Sequence, residues 1–487
     1  MLPRNLNVIL ITACIAILCY ATHRRARTAM MVGDAMELIN QHYVDPVDTD
    51  DLLAAAMNGM TESLDENSSF IRSDAYESFQ DSINQEFAGI GIFVEQPDKD
   101  KPVRVITPLV GSPALAKGIL PDDRIIAVDD IDVSTMELRD VSDKLKGPIG
   151  TTVKVGLLRG DDETLSVSVT RATIELESVI GDYRGEGNKW VYRLKSDPRI
   201  AYIRLTSFGE KTVDELKTVL TTLNNDFDGI VLDVRGNSGG LLYAARDICD
   251  MFLDGGRIVS TRIRGNRIED VYEAGQGTLV DLSKPMAVMI DGGSASASEI
   301  VAAALQDHKR ATIVGTRSYG KGTVQNILPL QFGRSALRLT VARYYRPNDK
   351  NIHRKKDATE EDEWGVTPDE GFVVSVEDET LIKLGQRWRE ASYPLLGDAS
   401  NDASNDASND ASKDASKDAS KDASKSQVLD DSEQPKPAQS NMDFDPQLRQ
   451  AVEHLLEQID PDSVQEAESP ASSEQKEDAL EPAKIPA

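Results

Sequence analysis

Cysteine and histidine are scarce in this chain of 487 residues. The three cysteines are Cys14, Cys19 and Cys249, and the first two fall inside an apolar segment near the N-terminus. A fold held together by disulfides and a zinc site built from cysteines are therefore excluded. The five histidines are scattered along the chain without the spacing of a metal-binding motif. We accordingly expect no metal and no other cofactor.

Positive charge is also in short supply. The chain has 54 Lys and Arg residues against 82 Asp and Glu residues, and its formal net charge is −28. A polyanion such as nucleic acid would be repelled by most of such a surface, so we expect no nucleic-acid partner. Half of the negative charge lies in residues 398–487, which contain 22 acidic and 8 basic residues.

The apolar run Val8–Tyr20 is shorter than the ~20 residues of a membrane-spanning helix, and basic residues lie on both sides of it. It is typical of an export signal or a short membrane anchor, and no clean A-x-A cleavage site follows it. We favour an uncleaved anchor in the inner membrane, with the rest of the chain on the periplasmic or cell-envelope side. The arginines after the run disagree with that orientation. A lipoprotein cleavage box at Ile11–Cys14 and a buried helix of a soluble domain remain as alternatives.

The pattern of apolar residues changes along the chain and predicts a multidomain α/β (α+β) fold. Helical periodicity comes first, then short strand-like runs punctuated by glycine and proline, then strands alternating with helices. We divide the chain into an N-terminal signal or anchor (1–28), a helical unit (29–85), a β-rich module (86–174), an α/β domain (175–397), a low-complexity spacer (398–440), a C-terminal helix (441–460) and a disordered tail (461–487).

The spacer contains seven copies of the tripeptide DAS, repeated every four residues from Asp398. Such a composition offers almost nothing to bury, so it predicts a solvated tether. After it, Asp445 and Pro446 open a predicted helix that continues to Gln458 with apolar residues on one side. We expect this helix either to dock back on the body of the protein or to reach a partner or second subunit.

A serine-rich turn, Asp291–Ser298, joins an apolar strand to an apolar helix. A serine at such a turn is exposed, and the amides at the start of the helix can stabilise a developing oxyanion. Lys321 follows in a second loop, between Gly320 and Gly322. Glycines allow close packing, burial lowers the pKa of a lysine, and a neutral lysine can remove a proton from a serine. Taken separately, the serine-rich turn is more readily explained as a plain helix cap and the lysine loop as an exposed turn.

Two other chemistries fit the residues less well. Gly315–Lys321 matches the first seven positions of a phosphate-binding P-loop, but Gly322 occupies the position of the Ser or Thr that would hold magnesium, and a strand-like run follows. A serine/histidine hydrolase would use His308, yet G-x-S-x-G is absent from the turn and His308 lies in a charged stretch at a helix end.

The sequence GSASASEIVAAALQDHKRATIVG followed by YGKGTVQ resembles the carboxyl-terminal processing proteases, or tail-specific proteases, of peptidase family S41. Supporting matches are LDENSSFI, FAGIGI, VLDVRGNSGGLL and GVTPD, and the resemblance covers roughly residues 30–397 with the DPQL helix. It implies a crotonase/ClpP-like serine protease domain with an inserted PDZ domain, which corresponds to the β-rich module.

The resemblance also implies roles for single residues. Ser296 would be the nucleophile, Lys321 the general base and Gln325 the residue whose amide orients the lysine. The oxyanion hole would combine the N–H of Ala297 with that of Gly239 or Gly240, and the choice between the two glycines stays open. Ser238 stands where the family usually has proline, a change that removes no catalytic side chain.

In the PDZ domain, the resemblance implies that Gly89, Ile90, Gly91 and Ile92 form the loop that binds a terminal carboxylate. Free backbone N–H groups suit that task, while a strand edge can pair with the peptide. Without the family pattern, the same residues would be read as the start of a strand with a glycine bulge.

Together these features predict a serine endopeptidase that recognises the C-terminal tail of protein substrates and cleaves them with a Ser/Lys dyad. The alternative is an inactive PDZ-containing envelope adaptor. The joint presence of Ser296, Lys321 and Gln325 argues against it. The expected partners are protein substrates bound by their C-termini and a membrane bound through the N-terminal segment. Assembly into a homo-oligomer is left open.

Overall fold

The computed structural model describes residues 11–13, 16, 29–160, 162–330, 334–392 and 441–461. Most of the proposed N-terminal anchor, the whole DAS spacer and nearly all of the C-terminal tail lie outside these residues. Among the helices of the described residues, none has the length and apolar character needed to cross a membrane.

The α-helices and β-strands from residue 29 onward are numbered here in chain order. They are α1 (29–42), α2 (Thr49–Glu62), β1 (Ser69–Ile71), α3 (Ser73–Asn84), β2 (Glu86–Gly89), β3 (Ile92–Glu95), β4 (Val103–Pro108), α4 (Pro113–Ala116), β5 (Arg124–Val128), β6 (Ile131–Asp132), α5 (Leu138–Leu145), β7 (Thr152–Arg159), β8 (Glu163–Thr170), β9 (Ala172–Glu175), β10 (Val179–Ile180), β11 (Tyr183–Arg184), β12 (Trp190–Val191), β13 (Ile200–Leu205), α6 (Thr212–Leu223), β14 (Gly229–Asp233), α7 (Leu242–Asp250), β15 (Gly256–Ile263), β16 (Arg267–Ala274), β17 (Met286–Ile290), α8 (Ala297–Asp307), β18 (Thr312–Gly315), β19 (Thr323–Leu330), β20 (Ser335–Tyr345), α9 (Asp378–Ser392), α10 (Asn441–Phe444) and α11 (Pro446–Ile459).

The chain forms two compact units, of which the first combines Met1–Phe79 with Thr323–Ala342. Strand β1 pairs antiparallel with residues 336–338 of β20, and β19 pairs with β20 as well. The acidic turn before β1 is fastened to this sheet, because Asp65 accepts hydrogen bonds from the Ser68 hydroxyl at 3.1 Å and from the Thr340 hydroxyl at 3.1 Å. Residues 323–342 therefore group with the N-terminal helices.

The second unit, Gln80–Gly322 with Arg343–Ala487, begins with the β-rich module. Its sheet has the order β3-β4-β5-β7-β8, with β6 beside β5. Strand β7 alternates buried and exposed residues over most of its length, as a strand with one face on a core should. Strands β2 and β9 pair antiparallel at the two ends of the module, so the chain enters and leaves it at the same place.

The α/β part of the second unit is built on a sheet of order β10-β13-β14-β17-β18. Strands β13, β14, β17 and β18 are parallel, with α6, α7 and α8 between them in the chain. The first three of these strands are wholly buried, as strands covered on both faces usually are. Helix α11 packs into this core through Leu448, Ala451, Val452 and Leu455.

Candidate active site

Three neighbouring strands of the parallel sheet end at the same edge. Strand β14 ends at Asp233, β17 at Ile290 and β18 at Gly315. The carboxyl ends of parallel strands meet at one edge, where open α/β sheets place their ligands. The glycine-rich loop after β14, the serine-rich turn after β17 and the lysine loop after β18 are therefore brought together by the topology of the sheet.

Hydrogen bonds lock these three loops to one another. The Asp291 carboxylate accepts from Gly236 N–H at 2.8 Å, which ties the serine-rich turn to the glycine-rich loop. Tyr319 N–H donates to the Ser294 carbonyl at 2.9 Å, which ties the lysine loop to the turn. The Ser294 hydroxyl is used internally, because it donates to the carbonyl of Val234 at 2.8 Å. Ser294 is therefore a structural residue of the turn.

Ser296 occupies the position before the first residue of α8, with backbone angles φ 56° and ψ −113°. A residue other than glycine rarely adopts such angles, and they cost about 1 to 3 kcal/mol. The strained turn leaves the side chain partly accessible, and Oγ lies 2.7 Å from the hydroxyl of Tyr344. Ala297 is the first residue of the helix, where N–H groups are unpaired and the helix dipole is positive.

The carboxylate of Glu299 joins the serine turn to the lysine loop. Oε2 accepts from the N–H of Ser296 and from the N–H of Lys321, both at 2.8 Å. Oε1 accepts from the Ser318 hydroxyl at 2.6 Å and from Gly320 N–H at 2.7 Å. The side chain is fully buried. Burial raises the pKa of Glu299 above its ordinary value, although these four hydrogen bonds oppose the shift.

Sequence reasoning missed Glu299, because it reads as one more residue of an apolar helix. The signal was nevertheless present. A serine followed three residues later by a glutamate is a capping box, in which the glutamate returns to the N–H of the serine. Ser296 and Glu299 have that spacing, and their hydrogen bond is the one that the pattern predicts.

Close packing explains the glycines around Lys321. A Cβ added at Gly322 would overlap the backbone nitrogen of His353, and one at Gly320 would lie 2.7 Å from Arg354 Cβ. Gly320 also has φ 90°, a conformation that side chains disfavour. Lys321 is partly buried between them. The lysine is therefore presented on a loop that larger residues could not form.

Gln325 belongs to the first unit. Its Nε2 donates to the hydroxyl of Thr323 at 2.8 Å and to that of Thr340 at 3.2 Å. The Thr340 hydroxyl in turn donates to Asp65. The LDENSSFI segment and Gln325, two separate parts of the sequence pattern, are thus members of one hydrogen-bonded chain.

The glycine-rich loop after β14 approaches the start of α8 closely. A Cβ added at Gly239 would lie 2.9 Å from the nitrogen of Ala297, and Gly239 has φ 99°. The N–H of Gly239 is already used, because it donates to Asn237 Oδ1 at 2.9 Å. The N–H of Gly240 has no acceptor within the described ranges. The two glycines that the sequence left equivalent therefore differ in the hydrogen bonding of their N–H groups.

A buried cluster of charges lies at the foot of this loop, in a place that the sequence did not indicate. Asp233 contacts Arg235 at 2.7 Å and Arg204 at 3.3 Å, and Arg235 contacts Asp445 at 2.9 Å. Two cations thus meet two anions. Burial alone would raise the pKa of Asp233, but Arg235 and Arg204 hold that pKa well below its ordinary value. The cluster is a neutral unit that joins the loop to helix α11.

The predicted carboxylate loop begins at Gly89, the last residue of β2, and ends at Ile92, the first residue of β3. The carbonyls of Ile90 and Gly91 accept hydrogen bonds from Ala114 and Leu109. In the part of the chain that the structure describes, neither the N–H of Ile90 nor that of Gly91 has an acceptor. Two backbone donors of the loop are therefore unpaired among the described residues.

A cleft of about 770 Å³ runs between the β-rich module and the α/β part of the second unit. On the side of the module, Phe93, Leu109 and Pro113 line it, and Ile180 and Arg184 line the other side. For a metal, no group of three or more His, Cys, Asp or Glu side chains is suitably arranged within the described residues.

Comparison with known families gives two matches. The model of peptidase family S41 matches residues 199–371, which contain Ser296, Lys321 and the glycine-rich loop. The PDZ domain model matches residues 78–158, which contain Gly89–Ile92.

Individual relatives extend these matches over most of the chain. A carboxy-terminal-processing protease of Bartonella bacilliformis is 39% identical over 345 residues, 69% of this chain and 73% of that protein. A carboxyl-terminal-processing protease of Synechocystis sp. is 31% identical, over 68% of this chain and 74% of that protein. The solved structure of a photosystem II D1 C-terminal processing protease is 26% identical, covering 72% of this chain and 94% of that one, with a TM-score of 0.39. The chain therefore belongs to the carboxy-terminal processing proteases of peptidase family S41 and combines an S41 peptidase domain with a PDZ domain.

Proposed function

We propose that this protein is a serine endopeptidase in which Ser296 is the nucleophile and Lys321 the general base. The observation that carries the proposal is the shared acceptor Glu299 Oε2, which holds the backbone N–H groups of both residues at 2.8 Å. A nucleophile and its base must be adjacent, and here one buried carboxylate fixes both loops. Gln325 is included as the third catalytic residue on the strength of the family pattern.

In the proposed reaction, neutral Lys321 takes the proton of Ser296 as Oγ attacks the scissile carbonyl. The electron pair of the carbonyl moves to its oxygen, which receives hydrogen bonds from Ala297 N–H and from the glycine-rich loop. Gly240 is the better second donor, because Gly239 N–H is already used by Asn237. Lysine then protonates the leaving amine, and water hydrolyses the acyl-enzyme by the reverse route. Loss of one oxyanion donor should raise the barrier by about 3 kcal/mol.

We further propose that the PDZ domain binds the C-terminal carboxylate of the substrate at Gly89–Ile92. The unused N–H groups of Ile90 and Gly91 support this role, because such donors are what a carboxylate requires. The division into a helical unit (29–85), a PDZ domain (86–174) and a protease domain (175–397) belongs to the same proposal. The pairing of β2 with β9 supports the PDZ limits.

The location of the enzyme is inferred from the sequence alone. The apolar run Val8–Tyr20 and its basic flanks favour export with retention at the inner membrane, so that the protease would act in the cell envelope. Fractionation of cells that produce the full chain, with and without residues 1–28, tests this. Release of the shortened protein from the membrane fraction is the expected result.

The dyad is tested by Ser296→Ala and Lys321→Ala in the full chain. Each variant should lose peptidase activity by about a thousandfold or more while its thermal unfolding stays close to that of the parent. Ser283→Ala and Lys309→Ala, at exposed positions, are the matched controls and should keep full activity. Retained turnover in either dyad variant would defeat the proposal.

Two further measurements test the base and the tail recognition. Because the lysine must be neutral, activity should rise with pH along an acidic limb, and a flat profile down to about pH 5 would contradict a titrating lysine.

A peptide substrate with a free C-terminal carboxylate should have a lower KM than its amidated form. Equal KM values would show that Gly89–Ile92 does not bind the carboxylate.

A further inference from the structure

The hydroxyl of Tyr344 touches the atom that should react. Tyr344 lies near the end of β20, and its side chain is only 2% exposed. Its Oη is 2.7 Å from Ser296 Oγ, a normal distance for a hydrogen bond between two hydroxyls. Neither the serine-rich turn nor the lysine loop, the two segments on which the sequence prediction depends, contains this residue.

The backbone of Tyr344 is fixed on the lysine side of the site. Its N–H donates to the carbonyl of Gly322, the residue after Lys321, at 3.1 Å. Its own carbonyl accepts from Asn351 Nδ2 at 2.8 Å, and Tyr344 is paired with Thr261 of β15. Tyr344 is therefore connected to the loop of the base through its main chain and to the nucleophile through its side chain.

The chemistry of the contact assigns the donor. Burial raises the pKa of the Tyr344 phenol above its ordinary value, and the negative charge of Glu299 contributes to that increase, so the phenol keeps its proton. It cannot serve as a second base. Once Ser296 has given its own proton to Lys321, Oγ has no hydrogen left, and the only proton between the two oxygens is that of Tyr344. Hydrogen bonds to an ionised acceptor are roughly twice as strong as neutral ones.

We propose that Tyr344 is a further catalytic residue, which donates a hydrogen bond to Ser296 Oγ while negative charge develops on that oxygen. This inference rests on the proposed function of Ser296 and Lys321. The serine O–H bond breaks, its proton goes to Nζ of Lys321, and the new Oγ–C bond forms at the scissile carbonyl. Tyr344 keeps its own proton throughout. The same donation assists when Oγ leaves the acyl-enzyme and is protonated again by the lysine.

The test removes the phenolic oxygen of Tyr344 and measures how fast Ser296 Oγ reacts with a probe. Full-length parent, Tyr344→Phe and Tyr345→Phe are treated with a fluorophosphonate, and the rate of labelling at Ser296 is followed by mass spectrometry. Tyr345 is the matched control, because it is the neighbouring residue and its hydroxyl contacts Asn266 at 3.3 Å. We expect labelling of Tyr344→Phe to be slower by about tenfold to a hundredfold, with Tyr345→Phe unchanged.

A second readout separates catalysis from structure. Peptide hydrolysis by Tyr344→Phe should show a lower kcat with an unchanged KM, at temperatures where both proteins are folded. Labelling of Tyr344→Phe as fast as the parent, or faster, would overturn the inference and show that Tyr344 merely packs against Ser296 or restrains it. Peptide turnover that survives in Ser296→Ala would instead refute the proposed function, so the two failures are distinguishable.

Discussion

Two buried carboxylates near the same edge of the sheet, Asp233 and Glu299, have opposite surroundings. Asp233 faces the guanidinium groups of Arg235 and Arg204, so its charge is balanced by cations. Glu299 accepts four hydrogen bonds from neutral backbone and hydroxyl donors. The pKa of Asp233 is accordingly lowered despite its burial, whereas that of Glu299 is raised because burial is opposed only by hydrogen bonds.

The difference separates two tasks of buried charge. The positive and negative charges of the Asp233 cluster balance each other, and the cluster fixes the base of the glycine-rich loop to helix α11. Glu299 organises the loops of Ser296 and Lys321 without bringing a cation into the site. Dipolar donors hold the loops while leaving the balance of charge to the reacting groups.

The largest expected effect comes from removing the cation that Asp233 and Asp445 share. Arg235→Met keeps most of the side-chain volume but leaves two buried anions with Arg204 alone. Breaking a buried pair in this way typically costs about 3 to 5 kcal/mol of unfolding free energy. Urea denaturation of the parent and the variant measures the difference.

Arg199→Met is the control for this variant, because Arg199 pairs with Asp197 while half of its side chain is exposed. Exposed pairs contribute little, so its denaturation midpoint should barely move. Asp445→Asn is the milder change, since it removes one anion and keeps the shape, and we expect a smaller loss than for Arg235→Met. Equal midpoints for Arg235→Met and the parent would show that the cluster contributes no stability.

Glu299→Gln should have a smaller effect on stability and a large one on activity. An amide has one oxygen, so two of the four donors would face its NH₂ group instead of an acceptor. We expect a loss of about 1 to 3 kcal/mol in unfolding free energy. Displacement of the two loops should lower kcat by about a hundredfold with little change in KM.

Glu269→Gln is the control for Glu299→Gln, because Glu269 lies exposed on β16 and should tolerate the same chemical change. If Glu299→Gln kept the activity of the parent, the shared acceptor would not be what positions the dyad.

The smallest expected effect concerns how the contributions of Glu299 and Asp233 to the free energy of unfolding change with pH. The two contributions should change in opposite directions. The folded pKa of Glu299 lies above its ordinary value of 4.5, so its contribution to stability is complete below that pH and is lost as the pH rises through the folded pKa. The folded pKa of Asp233 lies below 3.8, so its contribution is present above that pH and is lost as the pH falls through the folded pKa.

Urea denaturation at a series of pH values tests the two signs. The difference in unfolding free energy between the parent and Glu299→Gln should shift in favour of the variant as the pH rises from about 4. For Asp233→Asn, the difference should shift in favour of the variant as the pH falls below about 4. If the two differences in unfolding free energy, parent against Glu299→Gln and parent against Asp233→Asn, changed with pH in the same direction, the two carboxylates would not differ in the way described.

Local patterns made much of the site predictable. The serine-rich turn and the glycine-flanked lysine each carry their signal in a few adjacent residues, because tight turns demand small side chains. The final helix was also readable, since Asp445 caps it and Pro446 occupies its first turn. The capping-box spacing of Glu299 belonged to the same class of signal, although its second task, holding the Lys321 loop, depends on how β17 and β18 lie side by side.

Contacts between distant segments could not be predicted. Tyr344 and Tyr345 are adjacent in one strand. Successive side chains of a strand point to opposite faces of the sheet, so only one of the two tyrosines faces inward. The sequence does not tell which one, or which residues it contacts. One partner of Arg235, Asp445, caps the final helix, and no spacing rule connects the two segments. The sequence predicted the packing of that helix on the body of the protein only as one alternative, the other being contact with a partner or second subunit. These residues become visible only when the packing of the sheet is known.

The salt bridge between Arg235 and Asp445 joins residues that are 210 positions apart. During synthesis, the strand that carries Asp233 leaves the ribosome long before the helix that carries Asp445. Until that helix arrives, the foot of the glycine-rich loop holds one uncompensated positive charge. The charge at this loop is therefore balanced only once the chain has been synthesised at least as far as Asp445.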